Sequence, residues 1–315
     1  MNSNYERVLP GQVGQVLGNG GAAGDYLDRI IITVTDATTS AVSIKDGGGS
    51  AISILPNSPG AGVGRYVVSV GASSRAGPWR VTAGLGASVV AVGSFSRKNT
   101  AEYLSLPGTA GNYASTPDSA AASITGDIDI RVRVAMDDWT PAATSTLLSK
   151  WLTTGNQRAY MLQVLAAGTL RLSWSANGTA VLAKDSTAAV SAADLTGKWV
   201  RATLDVDNGA AGNDVKFYVS DDGVDWTQLG TTVTTATATA IFDSTALVNI
   251  SGFDAGASDR TAGKVYYTEI RNGLGGTVAA KFDAREGVVA ATSFTSGSGE
   301  VWTVNQSGTP AAELV

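Results

Sequence analysis

A chain of 315 residues is long enough for two cores of ordinary size, and its 38 glycines with abundant Thr, Ser, Ala and Val favour short strands joined by tight turns. It contains no cysteine and no histidine, which excludes disulfides, catalytic thiols and histidine-based triads, and leaves carboxylates, Lys, Ser and Tyr as the groups able to do chemistry. The net charge of −5 comes without a basic face for phosphates, so no nucleic-acid partner is expected, and no apolar run reaches the ~18 residues of a membrane span.

The opening text "MNSNYERVLPGQVGQ" lacks the positive-then-apolar order of a secretion signal, which points to synthesis in the cytoplasm without a signal peptide. It also carries no periodicity, so residues 1–15 are expected to form an extended arm. From 16 to 96, strand-like runs at Arg29–Thr35, Ala41–Lys45, Arg65–Val70, Trp79–Thr82 and Ser88–Phe95 alternate with turn text such as "DGGGS" at Asp46–Ser50, giving a small β-sandwich for docking. "GNGGAAG" at Gly18–Gly24 has the glycine spacing of a dinucleotide-binding loop, but strand text follows it where a helix is required, and "GAGVG" at Gly60–Gly64 fails the same test. Both read as loops. The polar join "SRKNTAEY", Ser96–Tyr103, places the domain boundary after residue 96.

Strand signals resume at Ile128–Val134, Tyr160–Val164, Thr169–Trp174, Trp199–Val206, Val215–Ser220, Val265–Ile270 and Ala279–Phe282. In "GDIDIRVRV", Ile128, Ile130, Val132 and Val134 share one face, while Asp127, Asp129, Arg131 and Arg133 share the other, which is the pattern of a sheet with one wet side. Val200, Ala202, Leu204 and Val206 group in the same way, as do Val215, Phe217 and Val219. "FYVSDDGVDWTQ", Phe217–Gln228, sets three aspartates beside a glycine between two strands, and it reads as a hairpin turn rather than an active or calcium site, because Asp bonds its own backbone and Gly accepts positive φ.

The spellings "LLSKWLTTGNQRAYMLQV", "GTLRLSWSANGT", "GKWVRATLDVDNG", "DVKFYVSDDGVDW" and "GKVYYTEIRNGLGGTVAAKFDA", in that order, resemble a laminin-G-like or concanavalin-A-like jelly roll over residues 97–284. The resemblance implies an all-β chain in which the small N-terminal sandwich precedes two antiparallel sheets of about fourteen strands packed face to face. Residues 285–315 are expected as an extension packed on or near the jelly roll. "AGPWRVTAG" and the C-terminal "DAREGVVAATSFTSGSGEVWTVNQSGTPAAELV" are similar to modules of tailed-phage virion proteins. They imply a capsid decoration protein on the virion surface, contacting the major capsid protein as a homo-oligomer, with a trimer preferred. The alternatives are a minor tail or fibre-tip protein binding host-surface glycans, and an exported adhesin or carbohydrate-binding module.

Glycosidases of similar fold pair carboxylates as E-x-D-x-x-E, but here the glutamates, Glu6, Glu102, Glu269, Glu286, Glu300 and Glu313, are scattered. Asp283 with Glu286 is the sole close Asp/Glu pair, and Asp129 alternates with Arg131 and Arg133 in a manner that suggests cross-strand ion pairs and solvation. No enzymatic activity and no cofactor are expected. Calcium is the ion such a resemblance implies, with Asp137, Asp138, Asn156 and Asp254 as loop residues able to contribute and no spacing that selects among them. For a glycan, the candidate stacking rings are Trp139, Trp151 and Trp226.

Overall fold

The computed structural model describes residues 4–17, 25–36, 41–55, 62–95, 101–191 and 197–315. Gly18–Gly24, and the first two residues of Gly60–Gly64, lie outside the described residues. The chain divides into two compact units, Met1–Asn99 and Thr100–Val315, so the division falls within the polar stretch Ser96–Tyr103. Among the described residues no helix is long and apolar enough to cross a membrane.

The first unit is built from β1 (Asn4–Val8), β2 (Gln15–Val16), β3 (Tyr26–Val34), β4 (Val42–Asp46), β5 (Ala51–Leu55), β6 (Gly64–Ser73), β7 (Trp79–Thr82) and β8 (Ala87–Ser94). They form two four-stranded antiparallel sheets, ordered β1-β8-β3-β6 and β2-β7-β4-β5. Alternation in β3 turns Ile30, Ile32 and Val34 inward, where they meet Val42, Ile44, Trp79, Val81 and Val89 in one apolar core. The Trp79 indole donates to the Asp25 carbonyl at 3.0 Å, which satisfies its polar edge inside that core. "DGGGS" joins β4 to β5 as a hairpin, and the Asp46 carboxylate accepts the backbone N–H groups of Arg75 (2.8 Å) and Ala76 (3.0 Å).

The expectation of an extended arm is corrected. β1 pairs with β8 from Asn4↔Gly93 to Val8↔Val89, Val8 is fully buried, and β2 pairs with β7. A five-residue edge strand that buries Val8 near its end has no amphipathic period to read. The backbone ladder, invisible in side-chain text, decides its place.

The second unit contains β9 (Leu104–Pro107), β10 (Tyr113–Thr116), β11 (Ile128–Met136), β12 (Ser145–Leu152), β13 (Gln157–Val164), β14 (Thr169–Trp174), β15 (Leu182–Ala189), β16 (Lys198–Asp205), β17 (Asn213–Ser220), β18 (Thr227–Gln228), β19 (Val233–Thr235), β20 (Val248–Ile250), β21 (Ala262–Asn272), β22 (Thr277–Asp283), β23 (Ser293–Thr295), β24 (Val301–Asn305) and β25 (Glu313–Leu314). An eight-stranded sheet runs β15-β14-β13-β12-β20-β10-β24-β23. A nine-stranded sheet runs β18-β17-β16-β11-β21-β9-β25, with β19 added to β17 and β22 to β21. Ile128, Ile130, Val132, Val134, Val200, Ala202 and Leu204 of the nine-stranded sheet share one core with Leu148, Tyr160, Leu162, Leu172, Trp174 and Ile250 of the eight-stranded sheet. The architecture is an all-β sandwich of the jelly-roll kind.

Residues 285–315 are part of this sandwich rather than an extension packed against it. β23 and β24 continue the eight-stranded sheet, β25 pairs with β9, and Trp302 and Val304 of "VWTVN" lie in the common core. Inside the sandwich, Lys150 is fully buried on a core-facing position and donates to the Asp118 carboxylate (2.6 Å), the Ala246 carbonyl (2.9 Å) and the Ser244 carbonyl. Three acceptors match the three hydrogens of an ammonium, so each N–H of the buried side chain is satisfied. The Tyr160 hydroxyl donates to Ala122 O, and burial, helped by the Asp118 charge, raises its phenol far above the usual range.

Candidate ligand-binding site

The outer face of the nine-stranded sheet carries the chemistry. Strand alternation aims Asp129, Arg131 and Arg133 of β11, Trp199 and Arg201 of β16, Tyr218 of β17 and Glu269 and Arg271 of β21 away from the core. At its centre Asp129 receives a bidentate bond from Arg131 (3.2 and 2.9 Å), a second from Arg201 (2.8 and 2.7 Å) and the N–H of Gly275 at 3.0 Å. Arg201 sits diagonally across the ladder, because its register partner is Arg131.

The expectation of a solvated Asp129 is corrected: its side chain is 0% exposed beneath these guanidiniums. Burial pushes the carboxyl up, but the hydrogen bonds and charges of Arg131 and Arg201 outweigh it and hold the group below the usual carboxylate range. Beside it Glu269 takes Arg131 (3.2 Å), Arg271 (2.6 Å) and the Tyr267 hydroxyl (2.9 Å). Burial and then the Glu269 charge raise the Tyr267 phenol well above its ordinary value.

Aromatic rings flank this network. Trp226 is half-buried and lies under the guanidiniums of Arg131 (5.5 Å) and Arg201 (5.6 Å), while Arg201 also covers Tyr218 at 4.9 Å. Trp199 meets Trp226 edge to face at 6.3 Å and tilts against Tyr267 at 5.2 Å. A β-bulge between Arg133 and Val134 leaves Tyr266 as the extra residue on β21, so that Tyr266 and Tyr267, which regular alternation would separate, line the same cleft. Tyr266 in turn carries the Arg133 guanidinium at 4.7 Å and packs edge to face on Tyr103 at 5.7 Å.

The cleft has a volume of about 330 Å³ and is walled by Trp199, Tyr266, Tyr267, Arg133 and Arg285, with Glu102, Asp221, Asp222 and Asp283 among its carboxylates. Two glycines fit its rings closely. A Cβ on Gly223 (φ +78°) would lie 2.6 Å from the Trp199 indole, and one on Gly197 (φ +101°) would lie 2.8 Å from the Tyr266 ring.

The stretch Phe217–Gln228 therefore has a double character. Locally it is the expected hairpin turn: Asp222 accepts the N–H groups of Val224 (2.8 Å) and Asp225 (2.9 Å), Ser220 Oγ accepts Gly223 N–H at 2.9 Å, and β18 pairs back on β17. Those backbone bonds, led by Val224, hold the Asp222 carboxyl below its usual range. In the assembled sheet the same turn lays its Gly223 backbone on Trp199 and places Asp221 and Asp222 at the rim of the cleft.

Of the three tryptophans expected to stack on a sugar, only Trp226 reaches this face. Trp139 and Trp151 are corrected to buried positions, at 4% and 3% exposure; Trp139 joins the core between the sheets, and Trp151 is covered outside that core. Trp199 is the ring that sequence reasoning passed over, although the alternation that sent Val200 inward already placed it on the wet side. The proposed calcium residues are engaged separately. Asp138 accepts Thr140 N–H at 2.7 Å, Asn156 accepts Arg158 at 3.0 Å, and Asp254 accepts Thr153 N–H at 2.6 Å. Asp137 is exposed beside Asp138 in another cavity, and among the described residues no group of three or more acidic side chains gathers to hold a metal. Asp283 pairs with Arg285 at 2.8 Å and Glu286 with Lys281 at 2.6 Å, so each of these two carboxylates has its own cation.

No protein-family model matches the chain, and no curated protein does. Among solved structures it is similar to CBM40 of the Ruminococcus gnavus IT-sialidase, at 16% identity over 55% of this chain and 94% of that one, with a TM-score of 0.38. It is similar to the native heptameric SAP-like pentraxin of Limulus polyphemus, at 14% identity over 56% of this chain and 77% of that one, with a TM-score of 0.36. The leech intramolecular trans-sialidase gives 13% identity over 52% of this chain and 25% of that one, with a TM-score of 0.32. At these identities and scores the likenesses fix neither ligand nor activity.

Proposed function

We propose that residues 100–315 form a non-catalytic glycan-binding head whose sugar lies in the cleft on the outer face of the nine-stranded sheet. The observation that carries this reading is the cleft's lining: tilted aromatic rings, Trp199 and Tyr267, beside guanidinium donors and carboxylate acceptors in an open volume of about 330 Å³. Rings offer an apolar face to the C–H side of a pyranose, and the flanking charged groups bond its hydroxyls. A binding role is favoured over hydrolysis because the carboxylates nearest one another in sequence, Asp283 and Glu286, are each tied to a separate cation instead of flanking a shared bond.

Glycan binding is thus preferred to capsid decoration alone. Display on a virion remains the setting that the sequence resemblance suggests, and gel densitometry of purified particles checks it: hundreds of copies fit a decoration protein, and a few to a few dozen fit a tail protein. The binding reading itself is tested by calorimetry against an oligosaccharide panel with the whole chain and with Trp199→Ala. We expect at least one sugar to bind and the variant to lose about tenfold or more in affinity, as when a stacking ring is removed. Equal affinity of the two proteins would end the assignment of the cleft.

A further inference from the structure

In the first unit, the outer face of the β2-β7-β4-β5 sheet holds a groove of a different kind. Ile44 and Val81 turn into the core, so their neighbours Lys45 and Arg80 point outward, and the register sets those two side chains directly opposite one another. Like charges so placed repel and weaken the ladder. Pro78, Arg80 and Thr82 of β7 floor a groove of about 620 Å³, with Val13 and Gly14 on the β2 side and Lys45, Gly47 and Gly48 on the side of the β4–β5 hairpin. Among the described residues neither Lys45 nor Arg80 forms an ion pair, and the stretches of this unit outside the described residues contain no Asp or Glu. Asp46 follows Lys45 in the chain, but its two oxygens accept the N–H groups of Arg75 and Ala76. Arg80 gives one terminal nitrogen to the Gly14 carbonyl at 3.4 Å, and its Nε and other terminal nitrogen stay open.

We infer that this groove is a second ligand site, which takes an oxyanion: a sulfate, phosphate or carboxylate group, free or carried on a small sugar. The planar guanidinium of Arg80 offers a fork of donors to two oxygens of such a group, and the Lys45 ammonium offers a point charge to a third. An anion between them replaces a cross-strand repulsion by two attractions, so the same pair that costs stability when alone becomes the source of affinity. Two cations suit one anionic group and fall far short of the run of contacts that a nucleic-acid backbone requires. The inference stands apart from the glycan reading, because every lining residue of the groove belongs to the first unit.

The test titrates the full chain with sodium sulfate in place of sodium chloride at constant ionic strength, so that screening does not change, and follows nitrogen-correlated NMR signals. The backbone N–H groups of Gly14, Gly47 and Gly48 and the Arg80 Nε–H should shift and saturate, with a midpoint of about 1–10 mM. Lys45→Gln and Arg80→Gln should each weaken binding about fivefold or more, the range of a charge-assisted contact. Arg65→Gln, an exposed change on the other sheet of the same unit, should leave it alone. In chloride, Lys45→Gln should melt no lower than the parent protein, which separates loss of a ligand contact from damage to the fold. A monosulfated disaccharide that binds more tightly than free sulfate, while its unsulfated parent stays silent, assigns the groove to a sugar-borne group; equal binding of the two sulfates assigns it to the free ion. Shifts that do not saturate, Lys45→Gln and Arg80→Gln proteins that bind as the parent does, an equal loss in Arg65→Gln, or an unsulfated disaccharide that binds as well as the sulfated one would each overturn the inference.

Discussion

The two outer faces of the sandwich are built from the same alternating strands, yet their outward positions carry different chemistry. On the eight-stranded sheet these positions include Ser115, Asn249, Ser149, Met161, Ser173, Gln163 and Thr146, mostly short polar groups that are buried, beside the rings of Tyr113 and Trp151, and several satisfy one another: Gln163 donates to Thr146 at 3.0 Å, and Ser149 donates to Gly252 O at 2.8 Å. On the nine-stranded sheet they hold Trp199, Tyr218, Arg131, Arg201 and Glu269, joined by Tyr266 through the bulge. Burial alone does not separate the two, since both keep polar groups from water. What separates them is an open cleft lined by rings and charged groups on one face, against short buried polar groups that bond to one another on the other.

The comparison breaks most readily at Asp129. Asp129→Ala leaves Arg201 without its anion and Arg131 with Glu269 alone, and it should destabilise the second unit by about 3–5 kcal/mol in urea unfolding, the cost of an uncompensated buried charge. Gly223→Val comes next: the side chain meets the Trp199 indole and sits at φ +78°, which should cost about 1–3 kcal/mol and lower sugar affinity as Trp199 is displaced. Both are read by melting and calorimetry on one preparation.

Acid should act on the same face. Asp129 and Asp283 are both held below the ordinary carboxylate range, so the stability they add is complete above about pH 4, where an unfolded Asp is ionised, and is lost as pH falls through their lower folded values. A melting series from neutral to strongly acidic pH should show that fall, and Asp129→Asn should flatten it. Changing both Asp221 and Asp225 to Asn should alter stability by less than about 1 kcal/mol, because Asp222 holds the turn. Smallest of all, changing the exposed Thr303 of the eight-stranded sheet to Ala should shift stability by less than about 0.5 kcal/mol and leave binding untouched.

Much of this architecture was legible in the text. Alternation in "GDIDIRVRV" and "KWVRATLDVD" gave the core and outer faces of β11 and β16, and Asp with Gly in "DDGVD" gave the turn. The rest depended on features that side-chain text does not carry. β1 is placed by backbone pairing, the shared facing of Tyr266 and Tyr267 by a bulge, and the burial of Asp129 by two arginines from neighbouring strands that close over it. Trp199 was legible but passed over, while Trp139 and Trp151 illustrate the opposite error: a tryptophan in loop-like or strand-end text is still large enough to be buried, Trp139 in the core and Trp151 outside it.

The seven tryptophans provide the most direct measurement, since five of them, Trp79, Trp139, Trp151, Trp174 and Trp302, are buried and only Trp199 and Trp226 stand on the nine-stranded face. Each indole N–H gives its own signal in a nitrogen-correlated NMR spectrum, assignable by single Trp→Phe variants. On titration with a bound oligosaccharide, the signals of Trp199 and Trp226 should move in a saturable manner while the five buried ones stay fixed. If the sugar instead moves Trp174, or shifts the backbone signals of Ser115, Ser149 and Gln163 with Trp199 unchanged, the ligand belongs elsewhere on the sandwich and the account of the nine-stranded face is contradicted.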